Sequence, residues 1–129
     1  MPINNQWPGK ILFFAAMSGA FTVALGAFAA HGLKAQISAG LLDVFKTGVQ
    51  YQAWHSLAML GCGIWARIMP TKAVLYAALF FATGIVCFSG SLYLLVLTGI
   101  KWFGPITPIG GVCFIIGWVA LAVAAWRTA

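Results

Sequence analysis

Carboxylates are all but missing from this chain: Asp43 is its only acidic residue, and glutamate does not occur. Catalysis by paired carboxylates is thereby excluded. Asp43 also lies in a connecting stretch rather than deep in an apolar run, which argues against antiport coupled to a buried carboxylate. Its plain role is that of a solvated charge near Lys46. Charge of either sign is scarce, at 6% of residues against 63% hydrophobic, a balance foreign to soluble domains. Cysteine motifs are absent as well. Cys62, Cys87 and Cys113 form no C-x-x-C and no C-x-x-C-H, so zinc ribbons, thioredoxin-like chemistry and haem attachment have no support. The glycines of Gly104–Gly111 do not match a phosphate-binding loop. Ser56 adjoins His55, but successive helical residues do not face each other, so no nucleophile–base pair follows.

What is present is uncharged length. Lys10, Lys34, Asp43, Lys46, Arg67, Lys72, Lys101 and Arg127 leave the uncharged runs 11–33, 47–66, 73–100 and 102–126. A helix rises about 1.5 Å per residue and a bilayer core is about 30 Å thick, so roughly 20 apolar residues span it. Each run is long enough. The expectation is an all-α integral membrane protein, an antiparallel four-transmembrane-helix bundle, with helices over about 11–30, 47–68, 73–98 and 107–127. Residues 1–10 form a polar N-terminal lead, and 11–127 a single domain. Ile11–Ala30 is too long for the apolar region of a cleavable signal peptide, and more spans follow it. Trp7, Trp65, Trp102 and Trp126 fall near span ends, where indole prefers the membrane interface. Four bases on the terminal side (Lys10, Arg67, Lys72, Arg127) against three on the other (Lys34, Lys46, Lys101) lean towards cytoplasmic termini. The net charge of +6 is spread over loops and helix ends, which fits anchoring and gives no nucleic-acid footprint.

Small residues recur at helical spacing. Ala15, Gly19, Thr22, Gly26 and Ala30 share one face, as do Thr47, Tyr51, His55, Ala58, Cys62 and Ala66 on the second helix. Ala77, Gly84, Cys87 and Ser91 do so on the third, and Gly110, Cys113, Gly117, Ala120 and Ala124 on the fourth. Lipid supplies no hydrophobic force between helices, so close backbone approach at small residues marks the contacts. Gly19, Gly26, Gly84, Gly90, Gly110, Gly111 and Gly117 are the expected packing glycines, with the cysteines as packed small hydrophobes. The connection 31–46 is the long one. Ser38 suits a cap for a helix beginning near Ala39, which is either an interfacial stretch or an early start of the second span. Thr107 and Pro108 suit the cap and first turn of the last helix.

The polar residues collect at one level. His31 closes the first span, Tyr51, Gln52 and His55 open the second, Ser89, Ser91 and Tyr93 close the third, and Thr107 opens the last. At about 1.5 Å per residue, His55 and Ser91 both lie about 13 Å from their span ends, so one half of the bundle is expected to be polar and the other apolar. Such groups need partners in hydrocarbon, and an intramembrane ionisable residue points to function by default. Mutual hydrogen bonding that fixes packing ranks first, ahead of proton or solute passage. Metal or haem ligation trails, because His31 and His55 differ in depth by about 10 Å and a zinc site needs three or four ligands.

These residues carry a resemblance. Gly26–Leu33 (GAFAAHGL), Tyr51–His55 (YQAWH), Phe88–Tyr93 (FSGSLY), Gly104–Gly111 (GPITPIGG) and Gly117-Trp118 together resemble the small bacterial membrane proteins of the YgdD and YwdK type, which have eukaryotic relatives. The resemblance implies a four-span membrane protein of unknown function and brings no substrate, catalytic residue or cofactor. It falls on the same polar residues, so His31, Tyr51, Gln52, His55, Ser89, Ser91, Tyr93 and Thr107 are the candidate polar site. The expected function is that of a non-enzymatic accessory or structural component of the bacterial inner membrane, without cofactor or metal. The alternative is a small carrier or proton-conducting protein built around His55, and behind it a haem- or quinone-binding redox subunit. Expected partners are membrane lipids and either a second copy or a larger membrane complex.

Overall fold

In the computed structural model, which describes residues 6–128, every element is helical. Helix α1 (Trp7–Phe28) runs on through a π turn (Ala29–Leu33), and α2 covers Ala39–Ile68. Helix α3 (Lys72–Gly84), a second π turn (Ile85–Ser89) and α4 (Gly90–Thr98) make one rod; a 3₁₀ turn (Lys101–Phe103) precedes α5 (Ile106–Thr128). Local chemistry explains the boundaries. Pro8 sits in the first turn of α1, where its missing N–H costs nothing. The Ser38 hydroxyl accepts from the Leu41 N–H at 3.2 Å and the Thr71 hydroxyl from the Val74 N–H at 3.3 Å, capping α2 and α3. Gly99 ends α4 at φ +71°, a left-handed geometry that favours glycine.

Two boundaries differ from expectation, and one left open is resolved. Helix α1 already begins at Trp7, inside the lead assigned as polar, because Pro8 starts a helix rather than preventing one. Helix α2 begins at Ala39 directly after Ser38, the early start of the two alternatives, so residues 39–46 are continuous with the second helix. Helix α5 begins at Ile106, and the Thr107 hydroxyl does not cap it but reaches across to Ser91.

Neighbouring rods run in opposite directions. Leu12 meets Gly63, Ser18 meets Ser56 and Gly26 meets Val49 along α1 and α2. Phe81 meets Gly117, Gly84 meets Phe114 and Ser91 meets Thr107 along the third rod and α5. The packing is closest where glycines allow it. A Cβ added to Gly110 would lie on the backbone of Phe88, 2.7 Å from its Cα, and one on Gly117 would lie 2.6 Å from the Phe81 ring. Gly84 faces both the Phe114 ring and the Gly110 carbonyl. Gly26 makes ordinary contact with Val49 at 3.5 Å, Gly111 touches Phe88 only at 3.9 Å, and Gly90 meets only its own rod. Gly19 differs outright, since a Cβ there would meet nothing within 4 Å. Gly48 and Gly63, not among the expected set, do admit close neighbours: Tyr93 and Leu12.

Trp7–Leu33, Lys72–Thr98 and Lys101–Thr128 are long and apolar enough to cross a membrane; α2, although 30 residues long, is less apolar. Phe13, Phe14, Val23, Leu57, Val86 and Ile115 are all more than half exposed on the outer surface. Water does not tolerate that much apolar surface on a monomeric chain, whereas lipid does. Inside, two apolar clusters form. One centres on Met59, Cys62, Val74, Ala77, Phe81 and Phe114, the other on Ala29, Leu33, Leu42, Phe45 and Val96. The second sits at the end of the bundle expected to be polar. The polar side chains are therefore a belt between two apolar clusters, not a polar half.

Candidate functional site

The belt has three parts, and its proton positions follow from which atoms can donate. At its centre is Gln52 of α2, 6% exposed. Its Nε2 lies 3.1 Å from the Ser18 carbonyl and 3.2 Å from the Ser18 hydroxyl, while Tyr93 Oη lies 2.6 Å from its Oε1. A carbonyl only accepts, so the amide nitrogen must face Ser18 and the oxygen must take the Tyr93 proton. The Ser56 hydroxyl donates to the Gln52 carbonyl at 2.6 Å, which leaves Ser18 to donate to Ser56 Oγ, also at 2.6 Å. One directed chain, Tyr93 to Gln52 to Ser18 to Ser56, ties α4, α2 and α1 together.

The second part is His55. Its Nδ1 lies 2.7 Å from the Tyr51 carbonyl and must carry the proton, while Nε2 accepts from Trp118 Nε1 of α5 at 3.1 Å. Both nitrogens are engaged, and the geometry fits the neutral Nδ1–H tautomer. The ring stacks on Phe114 with centroids 3.6 Å apart and planes 10° apart, and the Tyr51 ring lies nearly parallel to it on the other contact at 6.1 Å. A cleft of about 520 Å³, lined by Tyr51, Trp54, Phe88, Ile115 and Trp118, opens over this stack towards the lipid-facing surface.

The third part surrounds the π turn Ile85–Ser89. The Ser89 hydroxyl, fully buried, donates to the Gly48 carbonyl at 2.7 Å. Ser91 donates to the Phe88 carbonyl at 2.9 Å, so Thr107 must donate to Ser91 at 2.6 Å, joining α4 to α5.

Of the eight candidate residues, seven enter this belt: Tyr51, Gln52, His55, Ser89, Ser91, Tyr93 and Thr107. His31 does not. It is exposed in the π turn after α1, away from the others, because the wide turn buries Ala29 and Leu33 in its place. Ser18, Ser56, Phe114 and Trp118 belong to the belt although none of them was among the candidate site residues. Ser18 carried a usable signal, being a hydroxyl in an otherwise apolar stretch of the first span. No buried side-chain nitrogen or oxygen among the described residues lacks a partner. No three His, Cys, Asp or Glu side chains converge there either.

Three membrane-length apolar helices, lipid-compatible outer faces and internally satisfied polar groups define a multi-pass helical membrane protein. The chain belongs to the family described as "Protein of unknown function (DUF423)", whose profile matches residues 25–111. It is 45% identical over 118 residues to a UPF0382 membrane protein of Staphylococcus aureus, covering 92% of this chain and 96% of the relative. It is 42% identical over 117 residues to the inner membrane protein YgdD of Escherichia coli, covering 91% and 89%. With the membrane protein YwdK of Bacillus subtilis the identity is 43% over 115 residues, covering 88% and 94%. No solved structure matches the chain significantly. The chain is accordingly a multi-pass protein of the bacterial inner, or plasma, membrane.

Proposed function

We propose that the chain is a non-enzymatic membrane component: an antiparallel bundle of four transmembrane helices, termini in the cytoplasm, that assembles with copies of itself or with a larger complex. The observation that carries this reading is the saturation of the belt. Both nitrogens of His55, the amide of Gln52 and the hydroxyls of Ser56, Ser89 and Ser91 are occupied by groups of the chain itself. Their work is to fix which helix faces are in contact and at what register. The same belt supports reading α2 as a fourth crossing. Its polar groups are turned onto α1, α4 and α5, and it presents Trp54, Leu57 and Ile64 outwards. At about 1.5 Å per residue it is also longer than the bilayer core, so its first turns project beyond it. Purification in mild detergent followed by native mass spectrometry should give a reproducible oligomer or a stoichiometric partner. A strictly monomeric species with no partner would overturn the assembly role.

Passage of protons along His55 has less support, because Trp118 Nε1 can only donate and holds the one nitrogen that would take up a proton. Proteoliposomes carrying the protein should leak protons no faster than empty ones between pH 5 and 8, and His55→Phe should change nothing. A pH-dependent flux that disappears in that variant would instead establish the carrier reading.

A further inference from the structure

At the end of the bundle away from the long connection, α1 begins where α2 ends, and the two leave an open cleft of about 730 Å³ lined by Gln6, Gly9, Lys10, Phe13, Phe14 and Arg67. Two cations meet there, one from each helix. The chain's only acidic side chain, Asp43, is no partner for them: it lies 24 residues before Arg67 on the same helix, about 36 Å away. Gly9 makes room for the guanidinium, since a Cβ at that position would lie 3.1 Å from Arg67 Nη2. The first turn of α1 adds to the positive field. Its positive dipole end opens onto the cleft, and Gln6, the residue before it, makes no side-chain capping hydrogen bond. Immediately beside these charges are Phe13 and Phe14, 59% and 60% exposed, with rings edge to face at 5.4 Å. A free inorganic anion would use the cations and have no use for the rings.

We propose that this cleft binds an anionic phospholipid, its headgroup phosphate held by Lys10, Arg67 and the start of α1, and its acyl chain lying over Phe13 and Phe14. The site stands apart from the polar belt and does not depend on the assembly role. Native mass spectrometry of the full chain with phosphatidylglycerol and phosphatidylcholine of equal acyl chains tests it. The wild type should retain phosphatidylglycerol over phosphatidylcholine by roughly tenfold or more, as two basic residues near an anionic surface would give. Lys10→Gln/Arg67→Gln should lose that preference while keeping its ordinary phosphatidylcholine adducts, and Lys34→Gln/Lys46→Gln at the other end should keep it. Inorganic phosphate at millimolar concentration should not displace the lipid. Equal binding of the two lipids by the wild type, an undiminished preference in the first double variant, or full displacement by phosphate would each overturn the proposal. Both replaced residues are exposed, and unchanged helical circular dichroism would establish that the fold is intact.

Discussion

Gly110→Ala should lower the apparent melting temperature of the detergent-solubilised protein by about 10 °C, a loss near the top of the roughly 1–3 kcal/mol range for overpacking. The reason is the identity of what the new methyl group meets. At Gly117 it would press on the Phe81 ring, a side chain that can shift without moving the backbone. At Gly110 it would meet the nitrogen and Cα of Phe88, backbone atoms that move only if the π turn Ile85–Ser89 moves with them. Gly19→Ala is the matched control. Nothing lies within 4 Å of its added Cβ, and alanine favours a helix over glycine by about 1 kcal/mol, so stability should hold or rise slightly. Equal losses at the two sites would refute the packing described for α5.

Gln52→Leu should cost about 2–3 kcal/mol, read from denaturant unfolding in detergent followed by tryptophan fluorescence. Individual interhelical hydrogen bonds in membranes are worth about 0.6–2 kcal/mol, and this substitution removes three at once while changing the volume little. It also leaves the half-buried Tyr93 hydroxyl without its acceptor. That orphan gives the sharper test. Tyr93→Phe keeps the ring against Phe45, 4.9 Å away, and removes only the hydroxyl. If the directed chain exists, Gln52→Leu/Tyr93→Phe should be less damaging than the sum of the single variants by about 1 kcal/mol, because neither partner is then left unpaired. Strict additivity would mean that the two side chains do not bond.

These two sites also show what can be read from residues alone. Gly110 and Gly117 are visible as a small-residue stripe because helical periodicity identifies a face. Gln52 and Tyr93 are visible as polar residues in apolar runs. That Gln52 meets Ser18 on one side and Tyr93 on the other is not visible, because periodicity names no neighbour. His31 and Gly19 went astray for related reasons. His31 lies beyond the belt, level with the apolar cluster that holds Ala29 and Leu33, and the π turn at Ala29–Leu33 points it outwards; such turns leave no mark in residue spacing. Gly19 shares the stripe of α1, yet α1 tilts its Ser18 side onto α2 and leaves Gly19 beside an open groove with Thr22 and Ala53. Three membrane-length apolar helices were legible because long gaps between charges mark them. The start of α2 was legible from Ser38 once its hydroxyl is seen as a cap.

The π turn between α3 and α4 has a further consequence for the rod that contains it. A wide turn holds about one residue more than an α turn, which resets the angular phase of everything after it. The lower half can thus set Phe81 against Gly117 while the upper half is aimed separately, with Ser89 on Gly48 and Tyr93 on Gln52. A rod wound uniformly would have to compromise between those two aims. Here a single rod acts as two independently indexed wedges, and losing one residue between 85 and 89 would be felt as a twist of α4 rather than as a shortening.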